Sequence, residues 1–216
     1  MLPKSKRGFT LVEMAVVLVI VGLMLGGLIV PLTTQMEQKG FTDTQRAMAE
    51  IKEALMGYAL SHAAADGRPH LPCPDTNGDG LENREVGGAC TNTEGDLPWA
   101  DLGVSGRDAW SNLYRYRVAN SFSNSVNGFL LTSNGNITVK DASAGANIAT
   151  NVPALVISRG KGGAGGGADE AENTDVDGTF VSHAPSGAAG NEFDDLVVWL
   201  PSAILINRMV AAGRLP

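Results

Sequence analysis

The chain is predicted to be an α+β protein: a long N-terminal helix, its first half membrane-spanning, packed on a small antiparallel sheet, with loop insertions and a short C-terminal helix. Three features of the sequence predict this. An apolar run from Met14 to Leu32 follows Gly8-Phe9-Thr10-Leu11-Val12-Glu13. Met48, Ile51, Leu55 and Tyr58 then recur at helical spacing, with Glu50, Lys52 and Glu53 on other faces. Short apolar segments separated by Gly, Asn and Asp fill the remainder, as strands joined by turns do.

From Phe9 to Val30 a helix rising roughly 1.5 Å per residue is long enough to cross a hydrocarbon layer about 30 Å thick. Glu13 is the one carboxylate in this run, and the segment supplies no cation to pair with it. Ahead of the run, Met1 to Gly8 carries Lys4, Lys6 and Arg7 and no acidic residue, the composition of a cytoplasmic flank. A secretory signal peptide would have its small-residue cleavage site after the apolar core, whereas Gly8 precedes it. Cleavage after Gly8 would leave the apolar helix on the protein.

The motif Gly8 to Glu13 resembles the prepilin signal of type IV pilins and of type II secretion pseudopilins. The resemblance implies that a membrane prepilin peptidase cuts after Gly8 and methylates the new amino terminus, Phe9. It also implies that the amine of Phe9 neutralises Glu13 of a neighbouring pilin or pseudopilin subunit. The expected division is a leader at 1–8, a transmembrane and assembly helix at 9–32 and a periplasmic globular domain at 33–216. The expected location is the inner membrane, single-pass, followed by transfer through an inner-membrane assembly platform into a filament.

In 216 residues there is room for that helix and one soluble domain with a core of ordinary size. The formal net charge of -7, lower still without the leader cations, disfavours sequence-independent nucleic-acid binding. Cys73 and Cys90 are the 2 cysteines, on the oxidising side of the membrane in this topology, so a disulfide is expected. No further Cys and no CxxC spacing offers a zinc site.

The helix is expected to reach about Ala64, with Gly22, Gly26, Gly27, Pro31 and Gly40 as points where it can bend, and Asp66-Gly67-Arg68-Pro69 ends it. Leu71 to Trp110 reads as a loop stapled by the cysteines. Within it, Asp75, Asn77 and Asp79 with Gly80 match the first half of an EF-hand loop, but Val86 stands where the bidentate glutamate belongs. A calcium site and a plain series of Asx turns both remain open there.

Asp108 to Val118 runs from a turn into an alternating strand, similar to the Asp- and Trp-containing turn that leads into the sheet of major pseudopilins, with Ser111 where glycine is usual. Further strands are expected at Phe129 to Thr132, Ile137 to Val139, Ala154 to Ser158 and Leu196 to Leu200, with Asn134-Gly135 turning a hairpin between the first two. The glycine-rich Arg159 to Gly167 lacks the P-loop arrangement and reads as a flexible loop. The resemblance implies calcium in the acidic loop, held by Asp175, Asp177, Asp194 and Asp195, with Asp75, Asn77 and Asp79 as the alternative. Pro201 to Ala212 reads as a helix offering Ile204, Leu205, Met209 and Val210 for burial and stopped by Gly213.

His62, His70 and His183 sit in no catalytic motif and are expected at the surface, and G-x-S-x-G and HExxH are absent from the sequence. The chain is therefore not expected to be an enzyme. The sequence favours a structural subunit, minor or pseudopilin-like, of a type IV pilus or type II secretion pseudopilus. The alternatives are a membrane-tethered, calcium-dependent binding module that does not polymerise, and a minor pilin at a filament tip.

Overall fold

The computed structural model describes residues 8–163 and 165–216, with side-chain surroundings given outside 25–33. Most of the expected leader, residues 1–7, and the side chains of the second half of the expected membrane segment lie outside the described residues. The chain divides into two compact units, Met1–Phe41 and Thr42–Pro216, the boundary falling inside one helix. That helix, α1, runs from Leu11 to Ser61 without interruption at any glycine or at Pro31. Among the described residues no helix is long and apolar enough to cross a membrane. In the first unit the large apolar side chains from Phe9 to Met24 are exposed.

In the second unit, Met48, Ile51, Leu55, Tyr58 and Ala59 of α1 are buried, the spacing that a single apolar helical stripe requires. They face a four-stranded antiparallel sheet ordered β1 (Glu94–Asp96), β2 (Arg115–Val118), β5 (Ala154–Ser158), β9 (Leu196–Leu200). Between its strands, α2 (Trp99–Leu102) and α3 (Asn120–Ser123) are single turns. A second sheet, ordered β4 (Asn147–Val152), β3 (Ile137–Lys140), β6 (Thr179–Val181), pairs β3 with β6 in parallel. A separate hairpin joins β7 (Ser186–Ala188) to β8 (Asn191–Phe193).

Strand β5 is buried at every position, which explains its apolar run from Ala154 to Ile157. Ala154 and Val156 join the core that contains Met48, Leu55, Tyr114 and Tyr116, whereas Leu155 and Ile157 join Ile137, Val139, Val152 and Phe180 of the second sheet. The last helix, α5 (Ser202–Ala211), buries Leu205 and Met209 and leaves Ile204 and Val210 exposed, fewer contacts than the sequence offered.

The hairpin expected at Asn134-Gly135 does not form. Residues 129–132 are not a strand: Phe129 is buried against Phe122, with ring centroids 5.0 Å apart, while Leu130 and Leu131 are exposed. Gly135 serves close approach rather than a turn, since a Cβ there would lie 2.1 Å from the Val152 carbonyl oxygen. Strand β3 instead pairs with β4, across a turn in which Asp141 Oδ1 accepts from the Ala146 N–H at 2.6 Å.

The stretch after α1 is held by the Cys73–Cys90 disulfide and by Arg84. The Arg84 guanidinium pairs with Glu82 at 2.7 Å, donates to the Leu71 carbonyl at 3.0 Å and also reaches the Ser123 carbonyl. His70, expected at the surface, is buried 3.1 Å from Arg84. His183 is half-buried, stacked on Phe193 with centroids 3.9 Å apart, and His62 is exposed as expected.

Asp108 opens the turn before β2. One oxygen accepts from the Trp110 and Asn112 N–H groups and the other from the Ser158 hydroxyl at 2.6 Å, fastening the turn to the end of β5. Ser111 is consequently left at φ 71°, a left-handed conformation that glycine adopts without strain.

Candidate functional site

Two places in the chain are candidates for function, one in each compact unit. At the N-terminus, Gly8, Phe9 and Thr10 are exposed and precede α1 without regular structure, so the Gly8–Phe9 bond lies outside the helix. Thr10 and Glu13 form a reciprocal cap. The Glu13 carboxylate accepts from the Thr10 N–H at 2.8 Å and its hydroxyl at 3.0 Å, and the Thr10 hydroxyl accepts from the Glu13 N–H at 3.2 Å. Glu13 therefore has a partner within its own segment, contrary to expectation. The sequence signal for this neutral partner is the Thr-x-x-Glu spacing itself.

In the second unit, Glu170, Asp194 and Asp195 each bring a carboxylate oxygen within 4.8 Å of the others. Glu170 lies on α4 (Ala168–Glu172), while Asp194 and Asp195 are the junction between β8 and β9. Each carboxylate has one oxygen occupied by a protein donor. Asp194 Oδ2 accepts from the Gly162 N–H at 2.6 Å, Glu170 Oε1 from the Asp194 N–H at 3.0 Å and Asp195 Oδ2 from the Asn173 amide at 2.8 Å. Asp194 Oδ1 and Asp195 Oδ1 are buried and have no hydrogen-bond partner.

Buried acceptors without donors are costly, and two carboxylates beside a third add mutual repulsion. Burial pushes the Asp195 carboxyl up from 3.8 to about 7; the nearby Glu170 and Asp194 add to the rise and donation from Asn173 partly offsets it. A cation would remove both penalties at once. Oxygen donors without Cys or His suit a hard ion, so the buried cluster is one that can hold a metal.

A cavity of about 460 Å³ opens beside the cluster, lined among others by Lys161, Gly162, Gly165, Glu192 and Asp194. Its glycines are there for proximity. A Cβ on Gly165 would fall 1.4 Å from Glu170 Oε2, and one on Gly160 2.3 Å from the Asp194 carbonyl oxygen. Gly160, Gly162 and Gly165, from the stretch expected to be a flexible loop, thus close over the carboxylates, and the sequence signal for Glu170 is its place three residues after Gly167, the last glycine of that stretch.

The predicted ligands do not all meet. Asp194 and Asp195 lie together with Glu170, but Asp175 and Asp177 are exposed, accepting from the N–H groups of Asp177 and Thr179 at 3.2 and 2.7 Å in a local turn. That loop is tied elsewhere, by Arg117 donating to the Val176 carbonyl at 2.9 Å. Of the alternative set, buried Asp75 accepts from the N–H groups of Asn77, Gly78 and Gly80. Asn77 and Asp79 cap the N–H groups of Asp79 and Leu81. This is the series of Asx turns left open by the sequence.

No curated protein and no solved structure matches the chain. Residues 3–29 match the Prokaryotic N-terminal methylation motif. Gly8, Phe9 and the capped Glu13 all fall within that match, and the chain thus carries the prepilin-type signal of type IV pilins and pseudopilins.

Proposed function

We propose that the chain is a structural subunit, minor or pseudopilin-like, of a type IV pilus or a type II secretion pseudopilus. On this reading prepilin peptidase removes residues 1–8 and methylates Phe9. The apolar run holds the subunit in the inner membrane with its domain in the periplasm, and the assembly platform passes it into a filament where the Phe9 amine of one subunit meets Glu13 of the next. The observation that carries the reading is the methylation motif at residues 3–29, which runs into a helix that continues from Leu11 to Ser61. The exposed large apolar side chains between Phe9 and Met24 supply the surface that lipid or neighbouring helices would cover. We further propose that Glu170, Asp194 and Asp195 hold Ca2+, which would secure the β8–β9 junction.

Mass spectrometry of mature protein from a host with active prepilin peptidase tests the processing. N-methylated Phe9 is expected as the first residue, Gly8→Ala should block the cut, and recovery of intact residues 1–8 in the parent would overturn the reading. Glu13→Ala tests assembly: cleavage and insertion should persist while the amount in sheared filaments falls against a parental control. Undiminished incorporation would remove the charge pair from the assembly step and favour a tethered, calcium-dependent binding module.

A further inference from the structure

We propose that Asn173 is the positioning residue of the cation site, a role that rests on reading Glu170, Asp194 and Asp195 as calcium ligands. Asn173 is 1% exposed and directly follows α4. Its Oδ1 accepts from the Val181 N–H at 2.7 Å and its Nδ2 donates to the Val181 carbonyl at 3.1 Å, the pair of bonds that a neighbouring strand would make to β6. The amide is planar, so these two bonds fix where its remaining N–H points. That N–H goes to Asp195 Oδ2, at 2.8 Å.

Asp195 is therefore oriented by a strand of the second sheet as well as by its own backbone. With Oδ2 held, Oδ1 is the buried atom left without a donor. Glu170 and Asn173 stand three residues apart, the spacing that puts a ligand and an orienting group on the same side of one helical turn. Loss of an orienting group behind a metal ligand typically costs about 10- to 100-fold in affinity. Asn173 touches no ion itself on this account; it acts through Asp195.

The test is calcium titration by calorimetry, with Tb3+ luminescence as a second probe, on the full chain in detergent. Three proteins are compared: the parent, Asn173→Ala and Leu205→Ala, a variant of the core that contains Met48 and Tyr116. The parent should bind, Leu205→Ala should melt earlier but bind with parental affinity, and Asn173→Ala should bind about 10- to 100-fold more weakly. Where Asn173→Ala needs calcium in order to fold, the calcium midpoint of folding reads the same quantity and must lie at least about tenfold above that of Leu205→Ala. Parental affinity in Asn173→Ala, or an equal loss in Leu205→Ala, overturns the positioning role and leaves the calcium site standing. A parent that binds neither ion overturns the calcium reading beneath it.

Discussion

Replacing Asp195 by asparagine should stabilise the calcium-free protein and abolish the further stabilisation that calcium gives the parent. The substitution keeps the shape and removes the charge. In chelator at pH 7.5 the parental carboxylate is ionised in a buried position beside Glu170 and Asp194, and its raised value, about 7 against 3.8, measures how much the fold resists that charge. At about 1.4 kcal/mol per pH unit, the penalty is on the order of 4 kcal/mol. Asp195→Asn should recover a good part of it, raising the chelator stability by about 2–4 kcal/mol. In calcium at a hundred times the dissociation constant the parent gains about 2.7 kcal/mol that the variant does not.

The pH dependence has a definite sign. A carboxyl whose folded pKa lies above its unfolded one contributes stability below about 3.8 and loses it as pH rises through about 7. Metal-free parent should therefore gain stability from this group as pH falls from 7.5 towards 4, and Asp195→Asn should not. Urea denaturation at several pH values, in calcium and in chelator, reads all of these quantities at constant m. Asp195→Asn less stable than the parent in chelator at pH 7.5, with the same m, would refute the argument, since the carboxylate would then be serving the fold without an ion.

Three further outcomes follow from other parts of the domain. Reducing Cys73–Cys90, which encloses a sequence separation of 17, should cost roughly 3 kcal/mol in the same denaturation assay; a change below about 0.5 kcal/mol would show that the Arg84 contacts alone hold the loop. Ser111→Gly should stabilise the protein by about 1 kcal/mol by relieving φ 71°, and any loss of stability would mean that the serine side chain has an unrecognised role. Acid should weaken the Arg84 cluster: burial and the Arg84 charge hold His70 low, and although burial alone would raise Glu82, donation from Arg84 and Cys73 outweighs it and keeps that carboxyl low as well. Both depressed groups lose stability as pH falls, His70 from about 6.5 downward and Glu82 from about 4.5. In the Asp195→Asn background, which lacks the opposing titration, His70→Gln should flatten the decline between pH 7 and 5, and unchanged slopes would exclude His70.

What the sequence made legible is what depends on local periodicity. The α1 stripe, the two-sided apolar strand β5, the strand β9 and the Asp108 turn could each be read from a few neighbouring residues. The parallel pairing of β3 with β6 could not, because Thr179 to Val181 is a short strand whose partner is far away in the chain. Asn134-Gly135 misled for a related reason: glycine is used both for turns and for close approach, and only the path of Val152 decides between them. The candidate site was half legible. Asp194 and Asp195 stood out, but Glu170 is one of several acidic residues in its stretch and is distinguished only by the glycine backbone that closes over it. Buried His70 was missed because its partner, Arg84, lies across the stapled loop.

The Thr10–Glu13 cap changes how the proposed assembly step should be weighed. An unpaired carboxylate in hydrocarbon costs at least about 2.5 kcal/mol on insertion scales, and on sequence alone that whole penalty stood ready to be relieved by a neighbouring subunit. Hydrogen bonds to an ionised group are stronger than those between neutral groups, so the two donors of Thr10 already relieve part of it before any neighbour arrives. Cleavage after Gly8 leaves Thr10 as an internal residue with its N–H intact, so the cap survives processing. In the proposed filament the Phe9 amine would compete with Thr10 for Glu13, and the drive towards assembly would be the surplus of a full ion pair over a neutral cap. A surplus of that kind is small per subunit and repeated along a filament, which fits a charge that selects the register of neighbouring helices while apolar packing between them supplies most of the cohesion.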